Sequence, residues 1–212
     1  MEPASRRDRS ERELHEYVAR AEGHDSQVTG VVGYFYRTYR REVLARLEGI
    51  DGRHILEIGC GEGMMFNGLG THPVQMDVSM TRVRRAAGKC RRLLCADGYA
   101  LPFANERFEV VLLVAVLEHT REPWRILAEA RRVLTPGGRA IIVVPNDVTM
   151  SAGRLMLRKF PIRYPDHVTF TTPAKTRRWL RGGFRVREAF RLPFRALPFA
   201  MNLYEFVVAE RA

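Results

Sequence analysis

Residues 54–63 read HILEIGCGEG, a short apolar run that leads into three alternating glycines, Gly59, Gly61 and Gly63. An apolar run of this length, closed by turn residues, reads as a buried strand. Glycines at its exit let the backbone take positive φ and come close to a ligand. Many nucleotide-binding folds use such a turn, so alone it does not choose between them. The dinucleotide fingerprint needs glycines at relative positions one, three and six. Counted from Gly59 or Gly61, the sixth position is Met64 or Phe66. That fingerprint is absent.

Outward from this turn the chain alternates strands and helices. A helix is expected directly after the glycines, then a second strand in VQMDVS ending at Asp77, then a basic helix from Thr81 to Ala87. RLLCAD supplies a third strand closing at Asp97, and FEVVLLVAV (108–116) is a continuous apolar run, as a central parallel strand covered on both faces requires. TREPWRILAEARRVL reads as a helix with Thr120 as its cap and Pro123 in its first turn. Pro136-Gly137-Gly138 stops that helix, and RAIIVVP is a fifth strand. FRVREAFRL and LYEFVVAE follow as an antiparallel pair added at the sheet edge. The fold class is α/β: a Rossmann-like, doubly wound, mostly parallel seven-stranded sheet with an antiparallel edge strand and helices on both faces.

Residues 1–33 are polar and read as a flexible or helical N-terminal arm, and 34–212 as a single domain. Tyr34 to Leu47 opens it as an amphipathic helix. Residues 146–168 read as an irregular basic segment, and TPAKTRRWLRGGF as a further helix. With 212 residues, 46% of them hydrophobic, the chain can bury a core of its own. No apolar run approaches the roughly 20 residues of a membrane span. The basic N-terminus has no apolar stretch behind it, so the expected location is the cytoplasm. Cys60, Cys90 and Cys95 lack zinc-ligand spacing; they read as reduced, mostly buried small residues, and no metal is expected.

The formal net charge of +11 comes almost wholly from arginine, with lysine only at positions 89, 159 and 175. Such a bias fits solvated faces rich in arginine, or an anionic partner recognised by denser clusters such as Arg154, Arg158, Lys159 and Arg163. No separate RNA-binding module is visible and nucleic acid is not an expected partner. Weak association with a membrane surface stays open, as does the oligomeric state.

Two acids narrow the ligand. Asp77 ends the second strand, where a carboxylate can accept both hydroxyls of a ribose; Asp97 ends the third, where it can receive the exocyclic amine of an adenine. Each also suits a helix cap or turn. Together, beside the glycine turn, they point to an adenosyl group at the carboxyl ends of the strands.

These motifs resemble the class I S-adenosylmethionine-dependent methyltransferases, especially their small-molecule branch. ILEIGCGEG matches the family's first motif, ADGYALPFANERFEVVLLVAVLEHTREP a longer signature, RRVLTPGGRAIIVVPN the unit that follows, and DHVTFTTPAKTRRWLRGGF the segment leading to the sixth strand. Glu109 stands where the family more usually has Asp. The resemblance implies methyl transfer from S-adenosyl-L-methionine to an O, N or C atom of a small-molecule acceptor. It places Glu57, Gly59, Gly61, Gly63, Asp77, Val78, Asp97, Gly98 and Val114 at the cofactor. Tyr34, Tyr36 and Tyr39 are either core residues or part of the cofactor mouth.

Methyl transfer is an in-line displacement with an excellent leaving group, so positioning and desolvation do most of the work. A base is needed only when the acceptor must lose a proton. His119 and His167 are the two candidates, His119 after the fourth strand and His167 beside the 146–168 segment read as a lid over the acceptor. Glu118-His119 also fits a purely loop-ordering role. Ala115-Val116-Leu117-Glu118 stands where base-amino methyltransferases usually carry Asn/Asp-Pro-Pro-aromatic, which argues against that chemistry. The remaining alternative is a non-catalytic relative that binds the cofactor or a partner protein as a subunit.

Overall fold

The computed structural model describes residues 6–21, 30–156, 158, 167–194 and 202–212. Two helices come first, α1 (Arg6–Ala21) and α2 (Gly30–Ala45). The alternating part runs β1 (Ile55–Ile58), β2 (Val74–Asp77), α3 (Met80–Ala86), β3 (Arg92–Cys95), β4 (Phe108–Val114), α4 (Pro123–Val133) and β5 (Leu134–Pro145). After it come α5 (Asp147–Met156), α6 (Pro173–Leu180), β6 (Phe184–Leu192) and β7 (Tyr204–Arg211).

The seven strands form one sheet in the order β3-β2-β1-β4-β5-β7-β6. The first five pair in parallel, and β7 runs antiparallel to both β5 and β6, so the outer pair carries the reversed strand. Period-2 alternation divides the core between two faces. Leu56, Val111, Leu113, Ile142 and Val207 pack under Ile126, Leu127 and Ala130 of α4 and Leu180 of α6. Ile55, Val110, Leu112, Ile141, Phe206 and Val208 pack against Val43 of α2 with Met65 and Phe66. Central strands buried on both sides explain the uninterrupted apolar runs that mark them in the sequence.

Several expectations need correction. No helix follows the glycine turn: residues 59–73 form turns, and Met65 and Phe66 are buried from irregular backbone. The 146–168 segment opens as a regular helix, α5, with 157 and 159–166 outside the described residues. The 1–33 arm contains α1, and its expected end falls inside α2. Thr120 does not cap α4; its hydroxyl bonds Leu117 O, and Glu122 occupies the cap position without a side-chain bond. Of the cysteines, Cys60 is buried but Cys95 is exposed.

The strand β5 begins directly where α4 ends, since Leu134 is already extended, and Gly137 takes φ +74° inside the strand. At the neighbouring Gly138 a Cβ would come within 2.9 Å of Thr135 O and 3.1 Å of Glu109 O. Pro136-Gly137-Gly138, expected to stop the helix, thus lies within the strand, past the helix end at Val133. Among the described residues no helix is long and apolar enough to cross a membrane.

Candidate functional site

The glycine turn is held over β2 by its own backbone. Gly59 N and Cys60 N both donate to Met76 O, at 2.8 and 2.9 Å. Gly59 has φ +72°, and a Cβ there would lie 2.5 Å from Val116 Cγ2, so the turn and the loop after β4 approach as closely as they do only because residue 59 is glycine.

Asp77, at the end of β2, ties this turn to the start of α3. Its Oδ2 accepts from Gly61 N and its Oδ1 from Ser79 N, both at 2.9 Å. The side chain is 5% exposed. Burial pushes its carboxyl up, and the two backbone donors and nearby Arg82 offset this only in part. A buried carboxylate of this kind gains from a ligand that brings hydroxyl donors or positive charge.

Asp77 lines a cavity of about 660 Å³, counted to its open mouth, together with Gly59, Val78, Asp97 and Gly98. Asp97 is half-buried and its Oδ1 accepts from Tyr99 N at 2.9 Å, so it shapes the turn after β3 as well as facing the cavity. Ala115, Val116, His119 and Thr120 line the cavity from the loop after β4.

Of the other residues expected at the cofactor, Glu57, Gly61, Gly63 and Val114 do not line this cavity. Glu57 sits behind it, fully buried, accepting from Gln75 Nε2 at 2.8 Å. Burial, reinforced by the charge of Asp77, raises its carboxyl to about 7 against the Gln75 bond. Gly61 serves Asp77 through its N–H, and a Cβ on Gly63 would collide with the Cys90 thiol. Tyr36 and Tyr39 pack edge to face 5.3 Å apart, and Tyr39 packs on Tyr204; with Tyr34 they lie off the cavity.

The histidines are brought close to each other. The His119 and His167 rings meet edge to face, 5.3 Å between centroids. His119 lines the cavity and His167 does not. His167 Nδ1 instead lies 2.6 Å from Asp147 Oδ1. Glu118, His119 and His167 each place one ligand atom within 4.8 Å of the others, a cluster that the spacing of the sequence does not announce.

The roof of the cavity is α1, through Glu11, Arg12 and His15. Glu16 of that helix accepts from Ser79 Oγ at 2.7 Å and from Thr81 Oγ1, Arg85 donates to Ala19 O, and Arg121 N donates to Glu11 Oε1. Burial pushes the His15 imidazole down, although Asp77 draws it the other way. This element escapes a search for apolar periodicity because two positions of its inward stripe, Glu11 and His15, are polar.

A sequence profile described as a methyltransferase domain matches residues 56–142, from β1 through most of β5. The chain is 28% identical over 134 residues to a demethylmenaquinone methyltransferase of Renibacterium salmoninarum, covering 60% of this chain and 56% of that protein. It is 24% identical over 155 residues to a ubiquinone biosynthesis O-methyltransferase of Coxiella burnetii, covering 66% of each. The magnesium protoporphyrin IX methyltransferase of Synechocystis, solved with bound SAH, superposes with a TM-score of 0.68 at 17% identity, over 95% of this chain and 100% of that one. Residues 56–142 are thus similar to a methyltransferase domain, and the fold is that of the superposed Synechocystis enzyme.

The matches span about half to two thirds of the length of these curated relatives. S-adenosylmethionine is the ligand that this similarity suggests. The site fits it: a buried carboxylate and a second acid face one cavity whose third wall is backbone too close-packed for a Cβ.

The raised Glu57 carboxyl has a testable consequence. Its folded value, about 7, lies above the ordinary 4.5, so between those pH values the folded protein holds a proton that the unfolded chain has released. Stability from this group therefore falls as pH rises through that window. A Glu57→Gln variant, which keeps an acceptor for Gln75, should gain thermal stability relative to the parent on going from about pH 5 to about pH 8. Parallel melting curves for the two proteins across that range would contradict it.

Proposed function

We propose that this protein is a class I S-adenosylmethionine-dependent methyltransferase that moves the methyl group of its cofactor to a small-molecule acceptor. The observation that carries the reading is the placement of Asp77 and Asp97, from the ends of adjacent strands, in one cavity with Gly59. Asp77 takes the ribose hydroxyls and Asp97 the adenine amine, with Val78 and Gly98 against the adenosine. The turn of Gly59, Gly61 and Gly63 takes the methionine part, with Glu57 behind it and Val114 at the end of β4. Residues 34–212 form the catalytic unit, α1 covers the adenosyl cavity, and α5, within the described part of the 146–168 segment, lies toward the acceptor. The names of the relatives, which concern quinone precursors and a porphyrin, support a small organic acceptor over a macromolecule. Arg154 of α5 and Arg158 would suit an anionic group on it.

The test is methyl-labelled cofactor incubated with the protein and a lysate fractionated by solubility and size. Label should collect in the low-molecular-weight organic extract. Label in protein or nucleic acid would reject the small-molecule assignment.

A further inference from the structure

The first residue of α5 does not spend its side chain on its own helix. Asn146, before it, accepts from Thr149 N and Met150 N. Asp147 turns instead toward the 167–171 segment, where it is 2% exposed. Its Oδ2 accepts from Thr171 N at 2.6 Å and lies 2.9 Å from Thr171 Oγ1, while its Oδ1 meets His167 Nδ1 at 2.6 Å. Burial pushes this carboxyl up, yet the His167 and Thr171 bonds outweigh burial and hold it below its ordinary value. An ionised carboxylate at Nδ1 fixes the proton on that nitrogen and leaves Nε2 of His167 as the basic one.

His119 stands between this pair and the cavity. Its ring meets that of His167, and its Nε2 lies 4.0 Å from Glu118 Oε1. The 167–171 segment also brackets it: Thr169 N donates to Glu118 O at 2.9 Å and Thr169 Oγ1 to Thr120 O at 2.5 Å. Thr169 and Thr171 already fasten the segment to the loop after β4 and to β5. A further staple would not need two imidazoles, whose burial costs free energy whenever they ionise. His167, paired with Asp147, packs its ring against His119, and His119 stands in the cavity wall, as a base and a neighbour that positions it would be placed.

We propose that Asp147 and His167 are positioning residues for His119, and that His119 takes the proton of the acceptor. This rests on the methyl-transfer reading above. As a hydroxyl, amine or acidic carbon of the acceptor attacks the methyl carbon, the acceptor supplies the electron pair of the new bond. The C–S pair stays with sulfur, and the acceptor proton passes to an imidazole nitrogen of His119 and then to solvent. Glu118 Oε1 lies 4.0 Å from His119 Nε2, and a cation held by Glu118, His119 and His167 is the competing arrangement, which the Zn²⁺ and Mg²⁺ additions below test. The titratable groups facing this chain are Glu118 from its own turn, Glu11 and His15 from α1, and Asp147 from α5.

The experiment is imidazole nitrogen NMR on the full chain labelled with ¹⁵N-histidine, as the parent and as Asp147→Asn, Asp147→Glu and His167→Gln. In the parent, His167 should carry its proton on Nδ1. In Asp147→Asn that preference should be lost, its titration midpoint should fall by about one pH unit, and the His119 curve should move with it. Asp147→Glu should restore both. If Asp147→Asn does not fold, the His119 curve in His167→Gln decides the same point. A His119 curve unmoved in a folded variant would overturn the proposal and leave Asp147 a loop fastener. Joint shifts of both histidines on adding equimolar Zn²⁺ or Mg²⁺ would overturn it in favour of a cation site. Absence of S-adenosylmethionine binding by the parent protein would defeat the methyl-transfer reading, and the role of His119 toward an acceptor with it, whatever coupling the spectra record.

Discussion

The Asp77→Asn variant should bind S-adenosylmethionine about 10- to 100-fold more weakly than the parent protein, the usual effect of losing a charge-assisted hydrogen bond. The substitution is nearly isosteric and keeps one acceptor, so one of the Gly61 and Ser79 amides keeps its bond and the other loses it. It also removes a charge whose carboxyl burial already disfavours, which offsets the weaker bonding. The loss should therefore appear in affinity, read by calorimetric titration, and only weakly in the thermal midpoint. Asp97 is less buried and shares its carboxylate with Tyr99 N, so Asp97→Asn should have the smaller effect. Parent-like affinity in a folded Asp77→Asn protein would remove the ribose assignment.

Phe206→Ala should be the most destabilising truncation on the α2 face of the sheet. Phe206 is fully buried on β7, stacked on Phe190 at 4.8 Å between ring centroids, with the Arg46 guanidinium 4.8 Å above its ring. Arg46 is itself held by Glu42 and Glu188, so its neighbours have little freedom to close over the space left behind. Truncating a buried Phe costs about 3–5 kcal/mol. In a domain of this length that lowers the midpoint by roughly 6–20 °C. Circular dichroism melting would measure it, and a drop below about 2 °C would mean that the β6–β7 pair contributes little to the core.

The parallel strands were readable because their burial on both faces leaves long apolar runs, FEVVLLV above all, and because Asp77 and Asp97 stand at strand ends where ligands gather. What escaped the sequence lacked such local marks. The strand–turn alternation predicts a helix directly after the glycines, but Met65 and Phe66 enter the core there from turns punctuated by Gly63 and Gly68. The inward stripe of α1 shows Glu11 and His15, polar residues that face a cavity and not a core. Asp147 finds its partners 20 and 24 residues downstream, across a gap between elements that no spacing rule connects. Val114, Gly61, Gly63 and Glu57 lie around the cavity without lining it, a distinction of a few ångströms that only the folded backbone makes.

The most direct test of the central claim is calorimetric titration of the purified protein with S-adenosylmethionine, S-adenosylhomocysteine and NAD in turn. Saturable micromolar binding of both adenosyl ligands, with none for NAD, is the result that Asp77, Asp97 and the failed dinucleotide spacing predict. Binding of NAD, or of none of the three, would contradict it.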